Sequence, residues 1–410
     1  MIKIVDKIKC CGCNACVERC PNKCITMKMD KEGFFYPLVD ESECIHCNLC
    51  EKVCPFINQH EPVLPITVYA AKNKDKVIVS QSSSGGIFSA IAENIIREKN
   101  GVVFGAIYDE KWNVVMSFTE IVDGLKAMRG SKYVQCDIRN CYTKAEAFLK
   151  QGRTVLFSGT PCQIAGLKSY LRKDYNNLYT VSIICHGVPS PGIWNDYKKV
   201  LPAKLVAGKN TVFQSLKSLP VITGINFRDK TEGWQKYGFS VKASADQWEA
   251  ENSVFPSKHY SFFEQHHDNL YMRGFLNNIY LRPSCYHCPA RKGKSRADIQ
   301  LGDYWGVQRN TPEFYDPNGV SLVLLYTEKG DTLFNELDVV KMNVGYKAVL
   351  DCNANVEFDE IEPAIRGYFF DLYRQIGFKA VRSICNKVEG RTFLTQIKHI
   401  IKRVLLKSSI

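Results

Sequence analysis

The sequence predicts a protein of mixed α+β or α/β class, with a small cysteine-rich N-terminal unit, a larger mixed-sheet domain and a helical basic C-terminal tail. Ten of the 18 cysteines lie within the first 54 residues, strand-like and helix-like segments alternate from residue 66 onward, and positive charge is concentrated in the last 40 residues. A chain of 410 residues that is 45% hydrophobic and 23% charged has room for two or three domains. The same composition excludes a largely disordered or fibrous chain.

The cysteine-rich unit contains one motif twice. A Cys-x2-Cys-x2-Cys-x3-Cys-Pro run recurs after 34 positions. This spacing is typical of cubane 4Fe–4S sites, and in two-cluster ferredoxins the fourth cysteine of each run crosses to the other cluster. Structural zinc, the competing interpretation, uses separated Cys-x2-Cys pairs instead of such runs. We therefore expect one cluster on Cys10, Cys13, Cys16 and Cys54, and a second on Cys44, Cys47, Cys50 and Cys20.

The compartment of the protein bears on whether dense cysteines form disulfides or bind metal. The first nine residues alternate charge with isoleucine and show no secretory signal. No stretch reaches the ~18 apolar residues that a membrane-spanning helix needs. We therefore expect a cytoplasmic, reducing location, which favours thiolates bound to metal.

The larger domain is predicted from alternating local patterns. A proline-marked connector at 61–65 indicates a boundary. Beyond it, strands are predicted at 66–71, 101–108, 154–157, 178–184, 298–301 and 320–326, and helices at 86–99 and 163–171. Within the N-terminal unit, residues 28–40 are predicted to form a hairpin between the two motifs. This order of elements favours a sheet covered by helices.

Two loops of the larger domain have the composition of ligand sites. The run Ser-Ser-Ser-Gly-Gly at 82–86 precedes a helix, and small residues there would let backbone N–H groups approach an anion. A plain helix cap is an equally good interpretation. The second loop, at 158–162, follows a strand and opens a helix, with Thr160 as the cap and Pro161 in the first turn. This places Cys162 at a helix N-terminus, where the pKa of a thiol falls.

Cys285 and Cys288 form a Cys-x2-Cys pair outside the first block, and Cys162 and Cys185, each at a strand end, are their natural partners. Spacing alone leaves three interpretations open: a third cluster, a redox thiol pair, or plain buried cysteines. The remaining six cysteines are predicted to be buried non-ligands: Cys11, Cys24, Cys136, Cys141, Cys352 and Cys385.

The tail carries most of the excess charge. Residues 371–410 hold nine Lys and Arg side chains against two carboxylates, which is +7 of the net +12. From residue 392 the apolar and basic residues segregate as on an amphipathic helix, which would fit anionic lipid, a partner protein, or packing on its own domain. Nucleic-acid binding is not expected, because no binding motif accompanies the charge.

Several motifs together resemble the coenzyme F420 hydrogenase/dehydrogenase beta-subunit family, in the branch with an N-terminal two-cluster ferredoxin domain. They are SSSGGIF at 82–88, RGSKYVQ at 129–135, FSGTPCQ at 157–163, CHGVPS at 185–190, FRDK at 227–230, CYHC at 285–288 and ADIQLGDYW at 297–305. The wording of these motifs looks closest to bacterial members associated with polysaccharide biosynthesis.

The resemblance implies an iron–sulfur flavoprotein oxidoreductase. Residues 1–60 would be the two-cluster ferredoxin domain, 61–370 the FAD and iron–sulfur domain, and 371–410 the basic tail. By the same resemblance, Cys162, Cys185, Cys285 and Cys288 look like ligands of a third 4Fe–4S cluster near FAD. The predicted FAD contacts are Ser84, Gly85, Gly86, Lys132, Asp303 and Trp305.

The resemblance also implies how the protein would work. Electrons would pass between the clusters and FAD to reduce or oxidise a small-molecule substrate, either a deazaflavin coenzyme or a glycan-pathway intermediate. A ferredoxin or another redox protein would be the partner. An electron-transfer subunit that serves a partner enzyme, and a cluster-bearing scaffold of a polysaccharide-assembly complex, are the alternatives. The basic tail would allow a peripheral membrane or complex contact.

Overall fold

The computed structural model describes residues 1–207, 220–244 and 259–385. Its N-terminal unit contains helices Ala15–Arg19 and Leu49–Lys52 around the hairpin of β1 (Ile25–Met29) and β2 (Phe35–Val39). Asp30 stabilises the hairpin turn, because its carboxylate accepts from the backbone N–H groups of Glu32 and Phe34 at 3.0 Å each. The hairpin predicted at 28–40 is therefore present, and the two cysteine motifs lie on either side of it.

The main sheet has eight strands in the order β13-β3-β12-β11-β7-β6-β4-β5. The strands are β3 (Thr67–Asn73), β4 (Val102–Tyr108), β5 (Val114–Thr119), β6 (Val155–Gly159), β7 (Leu178–Ile183), β11 (Ile299–Asp303), β12 (Ser321–Leu325) and β13 (Val339–Asn343). Strands β4, β6, β7 and β11 are parallel neighbours, and the other pairings are antiparallel. The predicted mixed α/β class and all six predicted strands are confirmed.

Helices cover both faces of this sheet. Helices predicted at 86–99 and 163–171 are observed as Ile87–Lys99 and Pro161–Leu171. The other helices in this part of the chain are Lys76–Gln81, Leu125–Met128, Cys141–Lys150, Pro191–Ala207, Leu270–Leu276, Val307–Asn310, Glu328–Asn335, Gly345–Cys352 and Arg366–Ile376. Short 3-10 turns occur at Lys7–Lys9, Val122–Gly124, Pro283–His287, Pro312–Phe314 and Ala354–Val356.

A second, smaller sheet was not predicted. It is antiparallel and consists of β8 (Val221–Asp229), β9 (Gly238–Ser244) and β10 (His259–Gln265). Phe227 and Phe239 of this sheet are fully buried against Trp194 and Tyr271. These aromatic contacts attach the small sheet to helices Pro191–Ala207 and Leu270–Leu276.

The N-terminal unit is firmly packed on the large domain. Gly33 and Gly192 touch so closely that a Cβ on Gly33 would lie 2.6 Å from the Gly192 Cα. Arg366, which is buried, binds Glu32 of the hairpin through two hydrogen bonds at 3.1 and 2.6 Å. The two units therefore hold their cysteines in a defined relation to one another.

The start of the predicted tail is part of the folded domain. Residue 371 falls inside helix Arg366–Ile376, where Phe369 and Phe370 are buried. The amphipathic helix predicted from residue 392 lies outside the described residues. None of the described helices is long and apolar enough to span a membrane.

Candidate functional site

Two cavities in the N-terminal unit collect the eight motif cysteines in two sets of four. One is lined by Cys10, Cys13, Cys16 and Cys54, and we call it the first cavity. The other, the second cavity, is lined by Cys20, Cys44, Cys47 and Cys50. In each set the fourth cysteine comes from the other motif, which is the crossed arrangement predicted from spacing. None of these cysteines is in a disulfide.

A third cavity lies at the edge of the main sheet where parallel strands end. Cys162 follows β6, Cys185 follows β7, and Cys285 and Cys288 come from the turn at Pro283–His287 and the residue after it; all four line the cavity. The carboxyl edge of parallel strands is where α/β proteins bind ligands. The structure thus brings together the four cysteines for which spacing alone left three interpretations.

Burial and a hydrogen bond between thiols raise the pKa of cysteines in the third cavity. Burial raises the pKa of Cys285 to about 12 and that of Cys288 to about 11. For Cys162, a hydrogen bond with Cys11 and then burial raise the pKa well above its usual value. The sequence-based expectation of a lowered Cys162 pKa is therefore not met, because the hydrogen bond with Cys11 and burial exceed the field of the helix N-terminus. Metal binding here must displace protons.

The donor sets of the three cavities fit 4Fe–4S clusters. Each cavity presents the four thiols of one predicted set, which is the ligand number of a cubane. One further cysteine also lines each cavity: Cys11 in the first and the third, and Cys24 in the second. Within the described ranges, no three His, Cys, Asp or Glu side chains are placed to hold a single metal ion; the cysteines surround cavities instead. Backbone N–H groups also point at sulfur, as Ile2 does at the Cys50 Sγ (3.3 Å) and Val188 at the Cys285 Sγ (3.4 Å).

Cys11 connects the first and third cavities. It lines both of them and is the residue that the two linings share. The sequence-based prediction that Cys11 is buried is confirmed, since it is 7% exposed. Its position between the first and third cavities was not predicted, although its place directly after Cys10 indicated that it would lie near the first cavity. Of the other predicted bystanders, Cys352 is half-buried and packs against the edge of the core.

Arg282 is a second residue that sequence reasoning missed. Its side chain is fully buried and donates to the Cys10 carbonyl at 2.7 Å, to the Phe35 carbonyl at 2.9 Å and toward the Cys10 Sγ at 3.5 Å. Gly12 leaves room for it, because a Cβ there would lie 2.9 Å from the guanidinium carbon. A buried cation thus lies beside the first cavity, three residues before Cys285.

Arg291 has the corresponding place beside the third cavity. It lines that cavity, is 7% exposed, and donates to the His186 carbonyl at 3.0 Å. Its Nε lies 3.1 Å from a carboxylate oxygen of Asp359. Its position in the sequence could have identified it, since Arg282 lies three residues before Cys285 and Arg291 lies three residues after Cys288.

The predicted FAD residues lie along the same edge of the sheet, but most are bound to protein groups. The Ser84 hydroxyl donates to the Val320 carbonyl at 2.7 Å, and a Cβ on Gly85 would lie 2.5 Å from the Ala71 carbonyl oxygen. Gly86 is the left-handed cap of helix Ile87–Lys99. These contacts give the loop at 82–86 a structural role, as the helix-cap interpretation expected.

Asp303 and Trp305 belong to a buried cluster around Arg228. The Asp303 carboxylate accepts two hydrogen bonds from Arg228 at 3.0 Å each, and a third from the Trp234 indole at 2.8 Å. Trp305 stacks on Trp234 with ring centroids 5.0 Å apart. Both predicted contacts are thus committed to interactions within the protein, whereas the Nε of Arg228 is buried without a hydrogen-bond partner.

Lys132 is the predicted FAD residue that best fits an anionic group. Its ammonium donates to the carbonyls of Met128, Arg129 and Gly130 at 3.2–3.4 Å and forms no ion pair with a described carboxylate. Burial lowers its pKa to about 8. The adjacent Gly130 has a positive φ of 79° and open space where a Cβ would be. A buried cation next to an open, glycine-lined backbone would suit a phosphate or an anionic ring.

The cavities and their cysteines define an iron–sulfur electron-transfer protein with an oxidoreductase-type domain, and comparison with known proteins agrees. Residues 9–58 match the family model described as 4Fe-4S dicluster domain. Residues 152–344 match the model for the C terminus of the coenzyme F420 hydrogenase/dehydrogenase beta subunit. Residues 152–344 are therefore similar to the C-terminal part of coenzyme F420 hydrogenase/dehydrogenase beta subunits, and an N-terminal dicluster domain precedes them.

Among solved structures, the chain is similar to one from the xenon-derivatised F420-reducing [NiFe] hydrogenase complex of Methanosarcina barkeri. The identity is 17%, the match covers 81% of this chain and 94% of that chain, and the TM-score is 0.41. No curated protein matches the chain.

Proposed function

We propose that the protein is an FAD-dependent iron–sulfur oxidoreductase with three 4Fe–4S clusters that exchanges electrons between a redox partner and an organic substrate. One observation carries the proposal: three cavities, each lined by one predicted set of four cysteines, lie in one folded body, and Cys11 additionally lines the first and the third. One-electron carriers held in these cavities would be near neighbours, and the third would lie at the sheet edge where α/β proteins bind their ligands.

The chain's own residues would supply binding and tuning. The twelve cysteines would hold the clusters, while Arg282 and Arg291 would place buried positive charge beside the first and third sets. Positive charge and N–H···S hydrogen bonds stabilise the reduced, more negative form of a cluster and so raise its potential. Lys132 and the glycine-containing turn beside it would bind the anionic part of FAD. When bound, FAD would interconvert hydride transfer and single-electron transfer.

The substrate class is the finer part of the proposal. A deazaflavin coenzyme and a glycan-pathway intermediate are the two candidates that follow from the family and from the motif wording. Both would be tested by anaerobic reoxidation of the reduced, cofactor-loaded protein, with each compound offered separately and FAD absorbance as the measurement.

The cofactor content tests the proposal directly. Anaerobically reconstituted protein should contain about 12 iron and about 12 sulfide per chain, which corresponds to three cubanes of four irons each, together with one flavin. About eight irons would contradict the third cluster. A protein with all its iron but no bound flavin, even after incubation with FAD, would contradict the oxidoreductase mechanism.

A second candidate function is an electron-transfer subunit without a substrate of its own. It is favoured by the internal contacts of Ser84, Gly85 and Asp303, which already engage the groups that FAD was expected to use. Such a subunit would pass electrons to a partner enzyme through the clusters. Substrate reduction that occurs only after the partner is added would establish this function.

A further inference from the structure

A large basic groove lies at the edge of the main sheet opposite to the third cavity. Its volume is about 710 Å³, and six of its lining residues carry basic side chains: Lys52, His60, Lys168, Arg172, Lys173 and Arg296. Ala297, just before β11, and Tyr326, just after β12, also line it, so the groove is at the sheet edge opposite to Asp303. It is therefore distinct from the predicted FAD contacts.

The positive charge of this groove is only partly offset: burial lowers the pKa of Lys168, against the opposing charges of Asp298 and Asp174. Asp174 is the single carboxylate among the groove's lining residues. Within the described ranges, none of the six basic side chains forms an ion pair with a carboxylate. Burial, followed by the charges of Arg296 and Lys168, lowers the pKa of His60, so the two cations disfavour a further positive charge beside them. A negatively charged occupant would relieve this repulsion.

The groove is adjacent to the proposed electron path at two points. Lys52 stands between Cys50, which lines the second cavity, and Cys54, which lines the first. On the opposite side, the Tyr326 hydroxyl donates to the Gln300 Oε1 at 3.2 Å, and Gln300 lines the third cavity. An electron carrier bound in this groove would thus be close to the ligand sets of all three proposed clusters.

We propose that this groove is the docking surface for a small acidic one-electron carrier protein, such as an acidic ferredoxin. The proposal rests on the proposed function, because it assigns the place where electrons enter or leave. At each encounter, one electron moves from the reduced carrier to a cluster of this chain; the carrier is oxidised by one electron and the cluster is reduced by one. Two encounters supply the electron pair of one hydride.

The shape of the groove favours a protein over a small ligand. Cofactor pockets are mostly apolar and enclose their ligand, whereas this groove is open and rimmed by charge. Arg172 and Lys173 are exposed to solvent at its rim. Exposed charge of one sign accelerates and orients the encounter of protein partners more than it increases their affinity.

The test compares two double charge reversals in the cluster-loaded full chain. R172E/K173E changes the groove, and K76E/K347E makes the same change in net charge at exposed lysines that do not line it. Reduction of the clusters by a reduced acidic 2[4Fe–4S] ferredoxin is followed by stopped-flow absorbance at low and high salt. We expect R172E/K173E to lower the second-order rate constant at low salt about tenfold, and the control to change it less than about twofold.

Two further measurements distinguish a failure of the docking proposal from a failure of the proposed function. Methyl viologen radical, a cationic one-electron donor, should reduce both variants at the wild-type rate or faster, because it does not use a basic surface. Binding of oxidised ferredoxin, measured by interferometry, reports docking without electron transfer. Clusters that accept electrons from viologen while ferredoxin neither binds nor reacts would overturn the docking surface alone.

The remaining outcomes also decide the proposal. Equal loss of rate in both double variants would overturn it, because the effect would then come from net charge. A nucleoside triphosphate that binds wild type but not R172E/K173E, in the absence of ferredoxin binding, would assign the groove to a small polyanion. Oxidised ferredoxin that binds in a groove-dependent way to a chain with no cluster reduction would retain the docking surface and contradict the proposed function.

Discussion

The sequence predicted the three cysteine cavities more accurately than it predicted the FAD contacts along the edge of the main sheet. In the cavities, the structure collects the predicted cysteines in sets of four, with the crossed arrangement that spacing indicated. Among the predicted FAD contacts, Asp303 and Ser84 hydrogen-bond to other protein groups, and Lys132 is the residue whose surroundings favour an anion. A short repeated motif therefore predicts a site better than residues scattered over a sheet edge do.

Loss of a ligand in the third cavity should have the largest effect. Cys285→Ser is expected to reduce the iron content from about 12 to about 8 per chain, because a cubane that lacks one of its four thiolates is lost. Iron and sulfide analysis with EPR of the reduced protein would measure this. Cys11→Ser is the matched control, since Cys11 lines the same cavity and is not a proposed ligand. If Cys11→Ser lost the cluster and Cys285→Ser kept it, the ligand assignment would be wrong.

Removal of the Asp303 charge should be the next largest effect. The Arg228 side chain is 2% exposed, so Asp303→Asn would leave a buried cation without its carboxylate and lower the free energy of unfolding by about 3 kcal/mol. Anaerobic denaturation would measure it, with Asp316→Asn as the control. Asp316 pairs with Lys72 at 3.4 Å, where both side chains are partly solvated, and its loss should cost less than about 1 kcal/mol. A loss of FAD binding at unchanged stability would instead make Asp303 a flavin contact.

The buried ammonium of Lys132 should produce a pH dependence. Because burial lowers its pKa to about 8 in the folded protein, the unfolded chain binds more protons between pH 8 and about 10.5. The wild type should therefore gain about 2 kcal/mol of stability relative to Lys132→Met as the pH rises through this window. Saturating FAD should reduce the pH dependence of this stability difference, since an anion beside Lys132 raises the pKa of Lys132. If FAD left the pH dependence of the stability difference unchanged, a role for Lys132 in binding FAD would be contradicted.

The smallest predicted effect concerns Arg282. Arg282→Met removes a buried cation beside Cys10, so the potential of the cluster in the first cavity should fall by about 60 mV, a tenfold change in its reduction equilibrium. Arg282→Lys should retain most of the potential because it keeps the charge. EPR-monitored redox titration would resolve the cluster that shifts, and Arg153→Met, half-buried and paired with Glu120, is the control. An equal shift of all three clusters would indicate a general structural change.

Much of the architecture could be predicted from local patterns. The strands at 102–108, 178–183 and 321–325 were found within one or two residues, because each is an apolar run bounded by turn residues. The small sheet of β8, β9 and β10 was missed. Its strand Val221–Asp229 includes several half-exposed positions, and its stability depends on aromatic contacts with helices distant in sequence. Contacts of that kind leave no local periodicity.

The grouping of the cysteines in the N-terminal unit could be read from the sequence alone, because three cysteines of each set lie within one tight loop and helix where spacing dictates geometry. Only the tertiary structure decided what surrounds them. It brought Cys162 and Cys185 to Cys285 and Cys288 by aligning the ends of β6 and β7, inserted Arg282 beside Cys10, and placed Cys11 between two cavities. Apart from the pairing of Cys162 with Cys185, those relations join chain segments at least 100 residues apart, and packing of the sheet against the N-terminal unit brings them together.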